Sequence, residues 1–575
     1  MGFSPSQRTE QMDVLRSHMQ CDGAVHYTTG FRCNPLGRLD PEGGSRESSR
    51  MFGTCRYLTV MVFLITGALI ASEDIPLHQQ IDRLIVAGTS SLAEPCGDAT
   101  FLRRVTLDFA GRIPKPDEVV AFLADTDPDK RSQVIDHLLN GPEYPVRMAE
   151  LFHVLLMERR GDDPEWHAWL EQSFKVNKPW DQLVREIVRA DYRSEENRSA
   201  SFFYTKRLEK SGEMPIDYPG LTRDVGRLFL GMDLQCAQCH KHLQVDEYDQ
   251  EDFQGLFAAY QQLKLTRFEE QSVIEEPLLK EKIEFASVFN QRKKTTGPRI
   301  PGLAEIEWVS YTEAEAWEIA PDKTKKILGI PRFSPLTLFA EQMPQSPAFA
   351  PNIVNRLWAV LMGRGLVEPL DLHHPDNPPS HPELLDVLSK AFVDQGFNIK
   401  WFLRELAMSD TYQRASRFDG EEVSEDRFAR AKERGLSAEQ LMRSVFLATG
   451  NDWQALDEAA AKEWRTAFME AFANPPKEPE LTFSPSVKGS LFMSNDVKLQ
   501  SLLTPDKHNL VEQLSNATDE AVPEMLFLHV FSRQPDERER SLVAEHLQSS
   551  QGRRAKALAE LAWALLTATE FVVNH

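Results

Sequence analysis

The residues with the clearest chemical potential are Cys236, Cys239 and His240, which stand in the box Cys236-Ala237-Gln238-Cys239-His240. This C-x-x-C-H spacing is the attachment signature of c-type haem. Two thiols on one side of a short helical turn can form thioethers with the two vinyl groups of one porphyrin, and His240 can then ligate the iron. With 6 Cys and 15 His in 575 residues, about 0.002 matches are expected by chance.

The same residues are compatible with other chemistry, and the box alone does not decide between the alternatives. Cys236 and Cys239 could form a disulfide in an exported protein. Together with His240 and His242 they could instead hold zinc, because thiolate and imidazole ligands at this spacing suit a tetrahedral ion. Unmodified thiols are the remaining alternative. The predicted cofactor is haem c, and the alternatives are zinc or no cofactor.

A second axial ligand to a haem iron should come from a separate segment of the chain. His242 is only two residues from the proximal imidazole and lies on the same side of the ring. Met214, Met232 and His373 are the candidates, although ordinary core packing explains a methionine equally well. The distal ligand therefore stays open.

The N-terminal region predicts export. Residues 51–71 have the form of a signal peptide: Met51 precedes the basic Arg56, and the apolar run 57–70 ends in small residues. This run is too short for a comfortable membrane span, although an uncleaved signal anchor is the alternative. Residues 1–50 show no periodicity, and we interpret them as upstream sequence from a mis-assigned start. The expected location is periplasmic, cell-envelope or secreted.

Export agrees with the cysteine content. The mature chain keeps Cys96, Cys236 and Cys239. An odd number of cysteines does not describe a disulfide scaffold. Haem c is attached on the outer side of the cytoplasmic membrane, which is where the signal would take the chain.

Composition limits the class of partner. The chain has 575 residues, is 41% hydrophobic and carries a formal charge of −22. Binding to nucleic acid or to anionic membranes requires a basic face, so neither is expected. No stable membrane span is predicted after signal cleavage. The expected partners are redox proteins of the cell envelope.

Two helical domains are predicted, at 73–265 and 332–575. Apolar residues recur at helical spacing through both stretches. Asp98 is expected to cap one early helix, and Ser380 with Glu383 is expected to form a capping box. The clearest helix in the second domain is predicted over 349–362.

The intervening residues 266–331 lose this periodicity and are punctuated by prolines, which predicts a linker or insert. A short strand is expected at 306–309. The fold class is therefore mainly α, with two helical domains joined by an irregular, partly β insert. The box lies between two predicted helices of the first domain.

The chain resembles a planctomycete cytochrome-c-like family of exported proteins that contain two paired domains of unknown function. The resemblance covers most of 80–260 and 332–575. In the first domain it lies in Phe101-Leu102-Arg103-Arg104-Val105-Thr106-Leu107-Asp108, Gly111-Arg112-Ile113-Pro114, Phe229-Leu230-Gly231 and the box with Lys241-His242. In the second it lies in Asn355-Arg356-Leu357-Trp358, Gly363-Arg364-Gly365-Leu366-Val367, Ser380-His381-Pro382-Glu383-Leu384-Leu385, Met408-Ser409-Asp410-Thr411-Tyr412-Gln413 and Trp563-Ala564-Leu565-Leu566-Thr567-Ala568-Thr569-Glu570-Phe571.

The chain departs from that family at two places. The family commonly has Asp after the box, where this chain has Lys241. It often has a paired-aspartate and phenylalanine segment after the Gly-Arg-Gly turn, where this chain has Asp371-Leu372-His373-His374. The second departure removes support for a site built on those acids.

Two functions from different classes follow from the sequence. The first is an exported c-type haem protein in electron transfer or in an oxidising complex. The second is a non-redox cell-envelope or polysaccharide-associated module whose Cys/His box binds zinc or braces a loop.

Whether the chain is an enzyme is left open by the sequence, and no Gly-rich phosphate loop, Ser-His-Asp order or H-E-x-x-H motif supports a hydrolase. The best polar group of the second domain is Asn355, Arg356, Arg364, His381 and Glu383. Capping and ion pairing explain these residues as well as catalysis does.

Overall fold

The structure is a computed structural model that describes residues 75–89, 91–210, 212–241, 248–289, 291–418, 420, 423–478, 487–506, 508–550 and 552–575. The predicted signal peptide and residues 1–50 lie outside the described residues. The described chain is mainly α-helical, as predicted, and its sheets are short and two-stranded. Among the helices of the described residues, we find none long and apolar enough to cross a membrane.

The first stretch of the chain forms a continuous series of helices. Pro116 and Pro164 each stand at the first helical position, where the missing N–H of proline costs nothing. The helices are α1 (Leu77–Gly88), α2 (Asp98–Ala110), α3 (Pro116–Ala124), α4 (Lys130–Asn140), α5 (Glu143–Met157), α6 (Pro164–Lys175), α7 (Trp180–Arg189), α8 (Phe202–Leu208), α9 (Tyr218–Leu230) and α10 (Gln250–Tyr260), with 3-10 turns at Arg198–Ser201 and Cys236–Gln238.

One predicted cap in this stretch is wrong. Asp98 lies inside the first turn of α2, and Gly97 holds the N-cap position without a side-chain bond. The Asp98 carboxylate instead accepts hydrogen bonds from the Arg131 guanidinium, with Nη2 at 2.7 Å. The Arg131 guanidinium of the neighbouring helix α4 therefore binds the carboxylate oxygen that a helix-capping hydrogen bond would have used.

The middle of the chain carries three antiparallel hairpins. Their strands are β1 (Lys264–Phe268) with β2 (Gln271–Glu275), β3 (Ile283–Ala286) with β4 (Lys293–Thr296), and β5 (Trp317–Ile319) with β6 (Ile330–Pro331). The strand predicted at 306–309 is wrong. That segment has one backbone bond, from Ile306 N–H to Pro298 O at 2.9 Å, and Trp308 packs on Phe333.

Helices resume in the second stretch, and α12 occupies the residues predicted for it. The elements are α11 (Pro335–Gln342), α12 (Phe349–Met362), α13 (Pro382–Asp394), α14 (Ile399–Met408), α15 (Asp410–Gln413), β7 (Arg434–Gly435), α16 (Ala438–Ala448), α17 (Glu458–Phe472), α18 (Val487–Asn495), α19 (Val497–Ser501), α20 (Leu510–Ser515), α21 (Val522–Val530), α22 (Glu537–Ser549), α23 (Arg554–Leu566), α24 (Thr569–Val572) and β8 (Val573–Asn574), with 3-10 turns at Met343–Gln345, Glu425–Arg427 and Trp453–Ala455.

The larger of the two apolar cores is built by both stretches of the chain. It takes buried residues from α1 to Phe428, among them residues of α2, α9 and α12, and it also includes Leu528 of α21. Its centre includes Trp180, whose ring stacks on Phe349 with centroids 6.2 Å apart and lies 6.3 Å from Phe229. Trp180 of α7 therefore lies between Phe229 of α9, the helix before the box, and Phe349 of α12 in the second stretch.

The smaller core belongs mainly to residues 436–571, with Leu107 and Ile113 added from the first stretch. Helix α2 takes part in both cores, because Phe101 and Phe109 face one and Leu107 faces the other. The described residues from 75 to 575 belong to one compact unit by their internal contacts. The predicted domain boundaries near 265 and 332 stay a prediction for limited proteolysis.

Candidate functional site

The box forms a short 3-10 turn, Cys236–Gln238, between helices α9 and α10. The Cys236 carbonyl accepts the N–H groups of Cys239 and His240, each at 3.3 Å. Ala237 is fully buried, whereas Cys236 is partly exposed and Cys239 is exposed. Both box thiols are free, and so is the buried thiol of Cys96.

The turn is held by groups other than its thiols and imidazole. Arg223 of α9 donates to Gln238 Oε1 at 2.6 Å, and Gln254 of α10 donates to the Gln238 carbonyl at 3.1 Å. Beyond β3, the N–H of Val288 donates to the Cys239 carbonyl at 3.1 Å. Helices α9 and α10 and the segment after β3 therefore hold the turn without using either thiol.

The His240 ring has a defined tautomer. Its Nδ1 lies 2.6 Å from the Lys241 carbonyl oxygen, which can only accept a hydrogen bond. In the neutral imidazole Nδ1 therefore carries the proton, and the lone pair is on Nε2. The ring packs against Phe289 with centroids 4.9 Å apart. Backbone support of this kind orients a metal-ligating imidazole.

The donor atoms of the box do not converge on one point. Among the described residues, Cys236, Cys239 and His240 do not bring their ligand atoms within 4.8 Å of one another. His242, the fourth member of the alternative zinc set, lies outside the described residues. Any zinc site here would require these side chains to move together, because a tetrahedral ion needs ligand atoms about 2.0–2.3 Å from its centre.

The loop that leads into the box is paired with a loop of the second stretch. Met232 forms an antiparallel bridge with Leu372. The His373 N–H donates to Gly231 O at 3.0 Å, and the Asp233 N–H donates to the Asp371 carbonyl at 2.9 Å. The start of the box loop is therefore set by residues 371–373, more than a hundred positions later in the chain.

Gly231 makes this close approach possible. Its φ of +66° ends α9 in the left-handed region. A Cβ atom here would lie 2.7 Å from His373 Cδ2 and 3.0 Å from Asn352 Oδ1. Only glycine therefore satisfies both the backbone angle and the packing.

A network of buried charges lies beside this pairing. Asp371 accepts hydrogen bonds from Arg356 and from Arg227, the latter at 3.0 Å. Arg227 also pairs with Glu158 at 2.6 Å and with Asp224 at 3.2 Å. Burial alone would raise the pKa of Glu158, but the hydrogen bonds and charges of Arg227 and Arg160 together outweigh burial and lower it. Alternating acids and guanidinium groups thus connect α9 to α12 and to the 371–373 loop.

The predicted polar group of the second domain is divided among different places. Asn355 braces the turn after α12 by accepting the N–H groups of residues 366 and 367, at 2.7 and 3.0 Å. Arg356 belongs to the charge network described above. His381 packs against Phe428, and Glu383 is exposed. Arg364 is partly exposed, and its Nε has no partner among the described residues.

The predicted capping box at the start of α13 is wrong. Pro382 is the first helical residue, so His381 takes the N-cap position without a side-chain cap bond. The Ser380 hydroxyl lies 3.1 Å from His381 Nδ1 instead of reaching the helix N–H groups. Proline at this position has moved the start of the helix one residue beyond the predicted cap.

The three candidate distal ligands lie in different environments. Met214 is 66% exposed, and Met232 packs against the larger core. His373 lies behind Gly231, with its Nε2 3.4 Å from Asn355 Nδ2. Burial, followed by the charge of Arg356, lowers the pKa of His373 to about 4. The identity of a distal ligand stays a prediction.

Sequence reasoning missed one cluster of potential metal ligands, namely His153, Asp162 and His167 at the junction of α5 and α6. The Trp166 indole N–H donates to His153 Nδ1 at 3.1 Å, so the neutral ring carries its proton on Nε2. In this tautomer His153 has no free lone pair for an ion. His167 pairs with Asp162, and no spacing motif marks the three residues in the sequence.

Comparison with known families identifies two regions. Residues 78–265 match the model named PSCyt2, described as a protein of unknown function (DUF1549), and residues 339–466 match PSD1, a protein of unknown function (DUF1553). The first match contains the box, and the second contains Arg356 and Asp371. No curated protein and no solved structure matches the chain. The chain therefore carries a pair of domains whose functions are not established.

Proposed function

We propose that this chain, which pairs two domains of unknown function around a C-x-x-C-H turn, is an exported c-type haem protein that exchanges electrons with envelope proteins. Cys236 and Cys239 would hold the porphyrin through two thioethers, and His240 would ligate the iron. When bound, the haem supplies one-electron chemistry. The observation that carries the proposal is the turn itself, where two free thiols stand beside an imidazole whose hydrogen bond leaves Nε2 available.

The arrangement of donor atoms favours haem over zinc. A porphyrin takes the two sulfurs at its edge and the imidazole at its centre, so the three donors need not meet. Zinc requires them to meet. The separation of the Cys236, Cys239 and His240 donor atoms therefore supports haem over zinc as the group held by this turn.

Exposure also suits attachment. Enzymatic thioether formation needs access to both sulfurs, and Cys239 is exposed while Cys236 is partly exposed. Cys96 is only 4% exposed and lies inside the larger core, where no cofactor could reach it. The predicted signal at 51–71 would bring the box to the compartment where haem c is attached.

The test is expression of the full chain in a host with a haem c maturation system. We expect one haem that survives acid–acetone extraction and denaturing electrophoresis and gives a reduced pyridine-haem spectrum. Because maturation takes place outside the cytoplasmic membrane, the covalent product also reports export. The purified protein should be reduced by ascorbate or dithionite and reoxidised by a second c-type cytochrome.

Three variants make this test specific. Cys236→Ser and Cys239→Ser should each weaken covalent retention, whereas the matched control Cys96→Ser should retain the haem fully. His240→Ala should keep the haem but disturb the spectrum of the iron. A polypeptide of unmodified mass after maturation would contradict the proposal, and stoichiometric zinc in that protein would support the alternative.

A further inference from the structure

A polar cavity of ≈ 430 Å³ lies apart from the box, between α5 and the start of α16. This volume is in the range of small-molecule sites. Its lining includes Arg147 and Glu150 of α5, Glu439 of α16, and Asp108 and Arg434, with Asn474 at one side. Glu150 of α5 and Arg443 of α16 are 293 positions apart in the sequence, so the cavity exists only in the folded unit.

Arg147 is the unusual residue in this cavity. Arg147 is only 7% exposed, its Nε is buried without a partner, and its guanidinium makes no hydrogen bond or ion pair with any other described residue. Gly111 lets its stem pass, since a Cβ at that position would lie 2.9 Å from Arg147 Cδ. A buried guanidinium without an acceptor is costly and requires an explanation.

The carboxylates around Arg147 are already paired with other arginines. Asp108 accepts both terminal nitrogens of Arg434, at 2.9 and 2.8 Å. Glu439 is held by both terminal nitrogens of Arg159, and Glu150 by Arg443. Arg147 is therefore a surplus buried cation among acids that are already engaged.

Glu150 adds a second unsatisfied atom to the same wall. Its Oε1 accepts from Arg443, while its buried Oε2 has no partner among the described residues. Arg147 and Glu150 are three residues apart on α5 and so share one face of the helix. The cavity thus offers a guanidinium fork and a carboxylate acceptor side by side.

We propose that this cavity binds a small carboxylate that also carries a hydrogen-bond donor, as hydroxy acids and amino acids do. The ligand carboxylate would accept the two-pronged hydrogen bonds of Arg147, which match its geometry. The ligand hydroxyl or ammonium would donate to Glu150 Oε2. The unpartnered Glu150 Oε2 beside the fork disfavours an anion that brings no donor to it, such as chloride or a phosphate dianion.

The test measures binding to the full haem-loaded chain by thermal shift and calorimetry. The probes are sodium L-lactate, L-alanine, acetate, phosphate and chloride at equal ionic strength. We expect lactate or alanine to raise the melting temperature with saturation, acetate to act at least 10-fold more weakly, and phosphate and chloride to have no effect. Equal responses to lactate and phosphate would overturn the proposal.

Two variants locate the response. Arg147→Gln should abolish it without lowering the melting temperature of the ligand-free protein, because the substitution removes an unpaired buried charge. Arg538→Gln, at an exposed position on α22, is the matched control and should respond as the wild type does. Glu150→Gln should make lactate no better than acetate. A wild type that responds to no carboxylate would contradict the proposal, whether or not Arg147→Gln is stable.

Discussion

The box turn and the Asp371 network are neighbours in space but are built in opposite ways. In the turn, Cys239 is exposed and the bonds that hold the backbone come from amide groups and carbonyls. In the network, the bonds are between full charges, and Arg356 is only 2% exposed. The turn comes from five consecutive residues, whereas Arg227 and Asp371 are 144 positions apart.

This contrast shows that the reactive side chains and the contacts that position them belong to different parts of the molecule. The turn presents the side chains that could react, and the network with the 231–373 pairing fixes where the turn begins. Exposed thiols contribute little to folding, whereas an unpaired charge inside the network would cost several kcal/mol. We therefore expect substitutions in the network to change stability strongly without touching any reactive group.

The largest expected effect is at Asp371. Asp371→Asn keeps the shape of the side chain but leaves the buried guanidinium of Arg356 without its anion. Breaking a buried ion pair in this way should lower the free energy of unfolding by about 3–4 kcal/mol. Denaturant unfolding of the two proteins measures the difference.

The matched control for that substitution is Asp376→Asn, five residues later at an exposed position. It should stay within about 0.5 kcal/mol of the wild type, as surface substitutions usually do. If Asp371→Asn were equally mild, the network would not hold the loop, and the contrast with the turn would disappear.

A smaller effect is expected at Gly231, where the cost of the positive φ can be measured separately from the cost of a Cβ that crowds His373. Gly231→Ala should lower the free energy of unfolding by about 2 kcal/mol, since the new Cβ meets His373 as well as an unfavourable φ. Gly396→Ala is the control: its φ is +63° but no atom lies within 4 Å of the new Cβ. It should cost about 1 kcal/mol. Equal costs would mean that the loop pairing tolerates a side chain.

The predictable parts of the molecule were those encoded locally. Apolar residues at helical spacing predicted α12 at its observed bounds, and the box was correctly placed between two helices. The caps predicted at Asp98 and Ser380 also rested on local sequence patterns, but in each case another residue changed how the helix begins. Arg131 took the first carboxylate, and Pro382 displaced the start of the second helix.

The parts that sequence reasoning missed depend on long-range contact. Nothing in the sequence around Asp371 shows that Arg227 will face it, because buried charges have no periodicity of their own. The departure from the resembled family at Asp371-Leu372-His373-His374 had removed support for a site built there. In the structure the same segment pairs with the box loop. It therefore fixes where the box loop begins, through backbone hydrogen bonds to Gly231 and Asp233.

The smallest expected effect uses pH to compare the buried loop with the protein surface. Burial and the charge of Arg356 lower the pKa of His373 to about 4, from an ordinary value near 6.5. Between pH 6.5 and 4 the His373 imidazole is therefore protonated in the unfolded chain but neutral in the folded chain. The contribution of the neutral imidazole to the free energy of unfolding is complete above about pH 6.5 and is lost as the pH falls towards 4. Between pH 7 and 5.5 the loss from His373 should be about 1 kcal/mol, and His373→Gln should remove it.

His137→Gln, at an exposed position, is the control in the same denaturant titrations. If His373→Gln and wild type lost stability in parallel, the His373 imidazole would be solvated in the folded protein, and the 371–373 loop would be tied to the box loop by its backbone bonds alone.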